Sequence, residues 1–266
     1  MNVKTKVVFW SLIFIFGVKT IAIASDIFPE RLVDTTLSKI EVFTFISQGR
    51  EMKGKIYLPH SYNTKKSLPA IFLIDFTEQH FKLATDEFEK AIYGINQIKG
   101  FNALVVSLDA IPDIDAEPDN FEDHYAIFKD MTRYVDSLYT KNSSRTFIGK
   151  GSESGVVLMT LFLEDTAQQV FDNFVVTDPS PNYASSIIDL IEKNNFPKNK
   201  SNKKLHFSFS TSNDRTKCTT LIKLITEAKY PWLQFEAKEY KESDFENTYP
   251  LSYAEGLKFV FKNDKF

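Results

Sequence analysis

The residues best placed to do chemistry stand at a corner. Residues 145–164 read RTFIGKGSESGVVLMTLFLE: a short apolar run, a glycine- and serine-rich corner, then apolar residues at helical period. Strand, tight turn and helix are the setting of a nucleophile elbow. In that device a serine on a strained turn projects its hydroxyl above a sheet, and backbone N–H groups at the helix start face a developing oxyanion. The usual spacing, G-x-S-x-G, puts glycine two residues before and two after the nucleophile, where side chains would crowd the turn. With Ser152 as the nucleophile those places hold Lys150 and Ser154, and the glycines stand one residue away, at Gly149 or Gly151 and at Gly155. Counted strictly from Gly149, the nucleophile place falls on Gly151, which has no side chain. The chemistry suggested is acyl transfer through Ser152, on a motif that departs from its pattern.

A strand must deliver this corner and a helix must leave it, and the flanking pattern supplies both repeatedly. Residues 39–47 and 51–59 alternate apolar and polar positions around Gln48-Gly49-Arg50, which predicts an antiparallel hairpin. Residues 69–75 (PAIFLID) are continuously apolar up to their final aspartate, as in a strand buried on both faces. Helical pattern follows at 81–98, a strand at 102–108, a helix at 121–139, the corner strand at 145–149, its helix at 155–164 and a strand at 173–177. The segments 183–193, 205–211, 219–228, 232–240 and 253–261 continue the alternation. The expectation is an α/β protein with a mainly parallel, doubly wound sheet and an antiparallel N-terminal hairpin. Ligands of such sheets lie beyond the carboxyl ends of the strands, here residues 75–79, 109–113, 150–154, 178–182, 212–215 and 241–247.

Residues 1–24 have a basic start (Lys4, Lys6), an apolar run over 7–18, and Ala22-Ile23-Ala24 ahead of Ser25. That pattern predicts a secretory signal peptide, with an uncleaved anchor as the alternative; the run is short for a membrane span. Residues 25–266 then form a single domain, exported to the periplasm or the cell exterior, with no stable membrane insertion after cleavage. The whole chain has 32 basic and 35 acidic residues; without Lys4, Lys6 and Lys19 the balance is 29 against 35, net −6. An acidic protein of this kind is a poor partner for nucleic acid. Cys218 is the single cysteine, so it forms no internal disulfide and is expected as a core thiol on a helix. The acidic stretch 113–123 lacks the glycine turn and spacing of a calcium loop and reads as a solvated loop. No dinucleotide, P-loop or zinc-protease motif is present, so no cofactor is expected.

The segments IYLPHSYNTKKSLPAIFLID, EQHF, YVDSLYTKNSSRTFIGKGSESG, FVVTDPS and YAEGLKFVF follow one another in a familiar order and spacing. Over residues 25–266 the chain resembles the esterase family of α/β-hydrolases that includes esterase D-like and ferric-enterobactin esterase-like proteins. The resemblance implies an α/β-hydrolase fold and serine ester hydrolysis. It places the nucleophile at Ser152 if one residue is inserted, or at Gly151 if none is. It puts oxyanion donors near Ser152-Glu153 and Phe76-Thr77, although Phe76 replaces a family glycine and narrows the pocket. It places the triad acid at Asp214, a residue equally suited to closing an Asx-turn in SNDR. The family histidine falls on Phe245, in a loop after the last strand, and no histidine follows His206. Among the others, His206 sits in a strand pattern, His124 on a helix where the surface is expected, and His60 after the hairpin. Only His80 lies near the predicted cleft.

A serine hydroxyl is a weak nucleophile without a neighbouring base, and losing a triad base removes several powers of ten in rate. The favoured reading is a secreted esterase-like protein with degraded or lost hydrolysis, binding a small-molecule ester or apolar ligand in a phenylalanine-lined cleft. The alternative is an active serine carboxylesterase using Ser152 with an unrecognised base. A third reading, an exported assembly subunit, requires a large apolar surface patch. Ligand identity and oligomeric state stay open at this level.

Overall fold

Strict alternation makes Lys39–Ser47 (β1) and Arg50–Leu58 (β2) a hairpin, closed by Gln48 and Gly49, which both take positive φ (52° and 75°). Two-residue turns of this hand match the twist of the strands they join. The continuous apolar runs become Ala70–Ile74 (β3), Leu104–Leu108 (β4), Arg145–Lys150 (β5), Asn173–Thr177 (β6) and Lys203–Ser210 (β7), followed by Leu233–Tyr240 (β8). Between them lie Glu87–Asn96 (α1), Phe121–Leu138 (α2), Ser152–Leu163 (α3), Pro181–Glu192 (α4) and Arg215–Ala228 (α5); Phe245–Val260 (α6) closes the chain. The computed structural model describes residues 38–63, 67–74, 87–109, 117–167, 169–197 and 201–262. Residues 1–24, expected as a signal segment, and three cleft candidates, Phe76, Thr77 and His80, lie outside them.

The eight strands run in the order β1-β2-β4-β3-β5-β6-β7-β8. β2 pairs antiparallel with β1 and β4, and every later pairing is parallel. Because successive side chains of a strand point to opposite faces, the sheet carries two cores. Phe72, Val106, Phe147, Phe174 and Phe207 face α2, α3, α4 and α5, while Ile71, Val105, Ile148 and Val175 face α1 and α6. No helix of the described residues is long and apolar enough to cross a membrane.

Four expectations need correction, one being that α5 begins at Arg215 and not at residue 219. α3 begins at Ser152 and not at residue 155, so the corner is a single residue wide. α6 begins at Phe245 and not at 253, so Phe245 is on a helix rather than in a strand-end loop. Asp244 caps it, its Oδ1 accepting the Asn247 N–H at 2.9 Å, and the helix runs through Pro250. A proline ordinarily marks a helix boundary, which hid this one. His124 is buried on the core side of α2 instead of exposed, because α2 packs its whole His124-Tyr125-Phe128-Met131 stripe inward.

Candidate functional site

β5 delivers the chain to the carboxyl edge of the sheet and α3 carries it away, and the one residue between them is Gly151, at φ 63° and ψ −126°. That backbone is strained for any residue with a Cβ. The corner is pinned on both sides. Gly151 N–H donates to Thr177 O (3.0 Å), and Gly151 O accepts from the Ser154 hydroxyl (2.8 Å) and Ser180 N–H (3.2 Å). Gly149 lets the first turn of α3 fold back, since a Cβ there would lie 2.8 Å from the Ser154 nitrogen. Gly155 makes room for α4, where a Cβ would overlap the Tyr183 ring.

The residue on the strained turn is the one whose side chain an elbow presents above the sheet. Here that place belongs to Gly151, and Ser152 is the first residue of α3, half-buried. A Cβ built on Gly151 would lie 3.2 Å from Phe245 Cζ and 4.0 Å from Glu153 Oε2. The two positions that the resemblance assigns to nucleophile and base in its uninserted alignment therefore do meet. They meet as a glycine and a phenyl ring.

α6 is held over this corner by a buried hydroxyl chain in which Ser252 Oγ lies 2.6 Å from both Thr177 Oγ1 and Ser208 Oγ. Its first turn also encloses Lys150. The ammonium sits 4.5 Å from the Phe245 ring centre, 4.3 Å from that of Tyr249 and 3.4 Å from Glu246 Oε2. Such cation–ring contacts hold the lysine aside from the turn. Sequence reasoning had no signal for this pair of rings, because residues 245–249 were read as loop.

Two carboxyls face the corner from within. Glu153 is pushed up to about 8 by burial and then by the charge of Glu87, against its own backbone N–H and Lys150. Glu87 is itself buried and accepts the Tyr253 hydroxyl at 2.8 Å. Asp178, just after β6 with φ 48°, accepts at Oδ1 from Ser210 N–H (2.6 Å), Ser210 Oγ (3.1 Å) and Asn213 Nδ2 (3.1 Å). Its Oδ2 is buried without a partner, and burial raises its affinity for a proton despite those bonds. The Tyr183 hydroxyl is likewise buried and unpartnered, and the phenol is pushed up by burial and by the charges of Glu117 and Glu153. The buried polar end of Tyr183 is a feature the sequence did not show.

Asp214 is the N-cap of α5. Its Oδ1 accepts the Lys217 N–H at 3.1 Å, and its own N–H donates to Asn213 Oδ1 at 2.7 Å. Of the described histidines, His206 lies mid-strand on β7 with Nδ1 2.9 Å from Glu236 Oε2, and burial lowers its pKa, while His124 is buried on the first turn of α2. His60 is exposed in the turn after β2. Cys218 is buried on α5, its thiol pushed up to about 12 by burial and by Asp178 and Asp214. Three described cavities, of about 300, 320 and 550 Å³, lie at the opposite edge, around Arg145, Asp172 and Asn202. In sheets of this kind the carboxyl edge carries the ligand, so the corner remains the candidate site.

No family model and no curated protein matches the sequence. Solved structures do. An IroE-like serine hydrolase from Shewanella oneidensis superposes with a TM-score of 0.65 at 16% identity, over 84% of this chain and 80% of its own. A siderophore hydrolase, EstA, from Aspergillus nidulans gives 0.63 at 13% identity over 85% and 95%. The feruloyl esterase module from Clostridium thermocellum gives 0.62 at 12% identity over 90% and 94%. At such identities the likeness establishes the fold, and chemistry has to be argued from this chain's own residues.

Proposed function

We propose that this chain, an α/β-hydrolase fold of the esterase kind, has exchanged ester hydrolysis for ligand binding at the same corner. The observation that carries the reading is the meeting of Gly151 and Phe245. Acyl transfer at an elbow needs a nucleophile on the strained turn and a base within reach of its proton. A hydrogen atom and a phenyl ring offer neither. Ser152, one residue on, is the first residue of α3 and not the residue on the strained turn.

The same corner supplies the parts of a binding site. The Phe245 ring gives an apolar wall, and Glu153, with its carboxyl pushed up to about 8, is mostly protonated near neutral pH. A neutral carboxyl donates a hydrogen bond, and the unpartnered Tyr183 hydroxyl, which feels Glu153, offers another. Donors beside an apolar wall fit a small-molecule ester or another apolar ligand bearing an oxygen acceptor. The basic, apolar and small-residue pattern of residues 1–24 supports export, so the ligand is met in the periplasm or outside the cell.

Hydrolysis of short-chain p-nitrophenyl esters tests the reading. The wild type is expected to match the buffer rate and Ser152→Ala to change nothing, while Gly151→Ser combined with Phe245→His restores measurable turnover. Wild-type turnover that disappears in Ser152→Ala would return the chain to the active serine esterases and make His80 the base to examine.

A further inference from the structure

All four exposed large apolar side chains among the described residues gather at one edge of the sheet. Ile40 (53% exposed), Val42 (66%) and Ile46 (65%) lie on one face of β1, and Leu138 (61%) ends α2, the helix packed on the other face of β1. Tyr139, next to Leu138, donates its hydroxyl to Glu41 of β1 at 3.1 Å. β1 has a single described neighbour, β2. Edge strands are normally blunted by charges, prolines or bulges, and β1 between Ile40 and Ile46 carries none of these on its open face.

The hairpin fixes which backbone groups are open. A two-residue turn makes Ser47 and Arg50 the closing hydrogen-bonded pair, so odd-numbered residues of β1 exchange bonds with β2. On β2 the alternate residues turn away from β1, as the Asp109 N–H bond to Lys53 O (3.1 Å) shows. The N–H and C=O of Ile40, Val42, Thr44 and Ile46 therefore point out of the sheet.

We propose that β1 is a homodimer edge: two copies pair it antiparallel about a two-fold axis at Phe43, joining their sheets. In that register Ile40 opposes Ile46 of the second copy and Val42 opposes Thr44. The outward groups of all four residues are used, in about eight main-chain bonds, close to the number in an ordinary interface. The apolar side chains then form one strip across the axis, and Leu138 of each copy approaches the neighbouring α2. Charges agree as well. Lys39, paired with Glu41 of its own chain at 2.6 Å, comes opposite Ser47, whose hydroxyl is bonded to Asp130 Oδ2 (2.8 Å), so the Lys39–Glu41 pair of each copy meets the Asp130–Arg133 pair of the other. An isologous contact of this sort closes at two subunits and leaves no edge of β1 to recruit a third.

Sedimentation velocity of the purified protein at about 50 µM, a concentration suited to a small interface, tests the proposal. The wild type is expected at twice the monomer mass. Val42→Pro removes only an outward N–H, leaving the β2 ladder whole, and Thr44→Lys puts two like charges beside the axis. Both variants are expected to keep the wild-type circular dichroism and to sediment as monomers. A wild type that stays monomeric, or a folded variant of either kind that still dimerises, overturns the proposal.

Discussion

Glu153 shows how far one residue can move a site. Counted from Gly151, it stands where the elbow pattern has its second glycine, and its carboxyl is raised from 4.5 to about 8 by burial and by Glu87. A raised carboxyl binds its proton more tightly in the folded chain than in the unfolded one. The stability it carries is whole below about 4.5 and is lost as pH rises through about 8. Glu153→Gln keeps the shape without the charge. It is expected to melt with the wild type at about pH 4 and clearly above it at about pH 9. Equal melting temperatures at both ends would show that the carboxyl is not held in this way. The sequence singled out Glu153 for its backbone N–H; the role of its side chain depends on Glu87, more than sixty residues away, which no local pattern reveals.

At the scale of elements, the corner is set by how closely α3, α4 and α6 approach the strand ends. Strands were legible because parallel strands are continuously apolar, and β6 was read to the residue at 173–177. Helix starts were not, because caps depend on a few polar residues. Asp244 caps α6 and Asp214 caps α5, yet the residues after them, FENTYP and RTKCTT, lack a strong apolar period. The glycines were legible as a turn, but their separate neighbours were not. Gly155→Ala is expected to destabilise the protein by about 1–3 kcal/mol, since its methyl overlaps Tyr183 in a packed core. Urea unfolding measures this, and a loss below about 0.5 kcal/mol would mean that α3 and α4 are not pressed together there.

At the scale of the whole molecule, the sheet order brings the ends of β5, β6 and β7 to one edge, where α6 covers them, and leaves β1 open at the far side. The alternation of strands and helices foretold the parallel sheet and its antiparallel start. It did not foretell that Phe245 would lie against Gly151, because that contact joins residues ninety-four positions apart through the closing helix. The proposed loss of hydrolysis rests on that contact. The most direct test is intact-mass analysis after incubation with a fluorophosphonate, which phosphonylates only a serine activated by its neighbours. The wild-type mass is predicted to stay unchanged; a stoichiometric adduct on Ser152 would contradict the account.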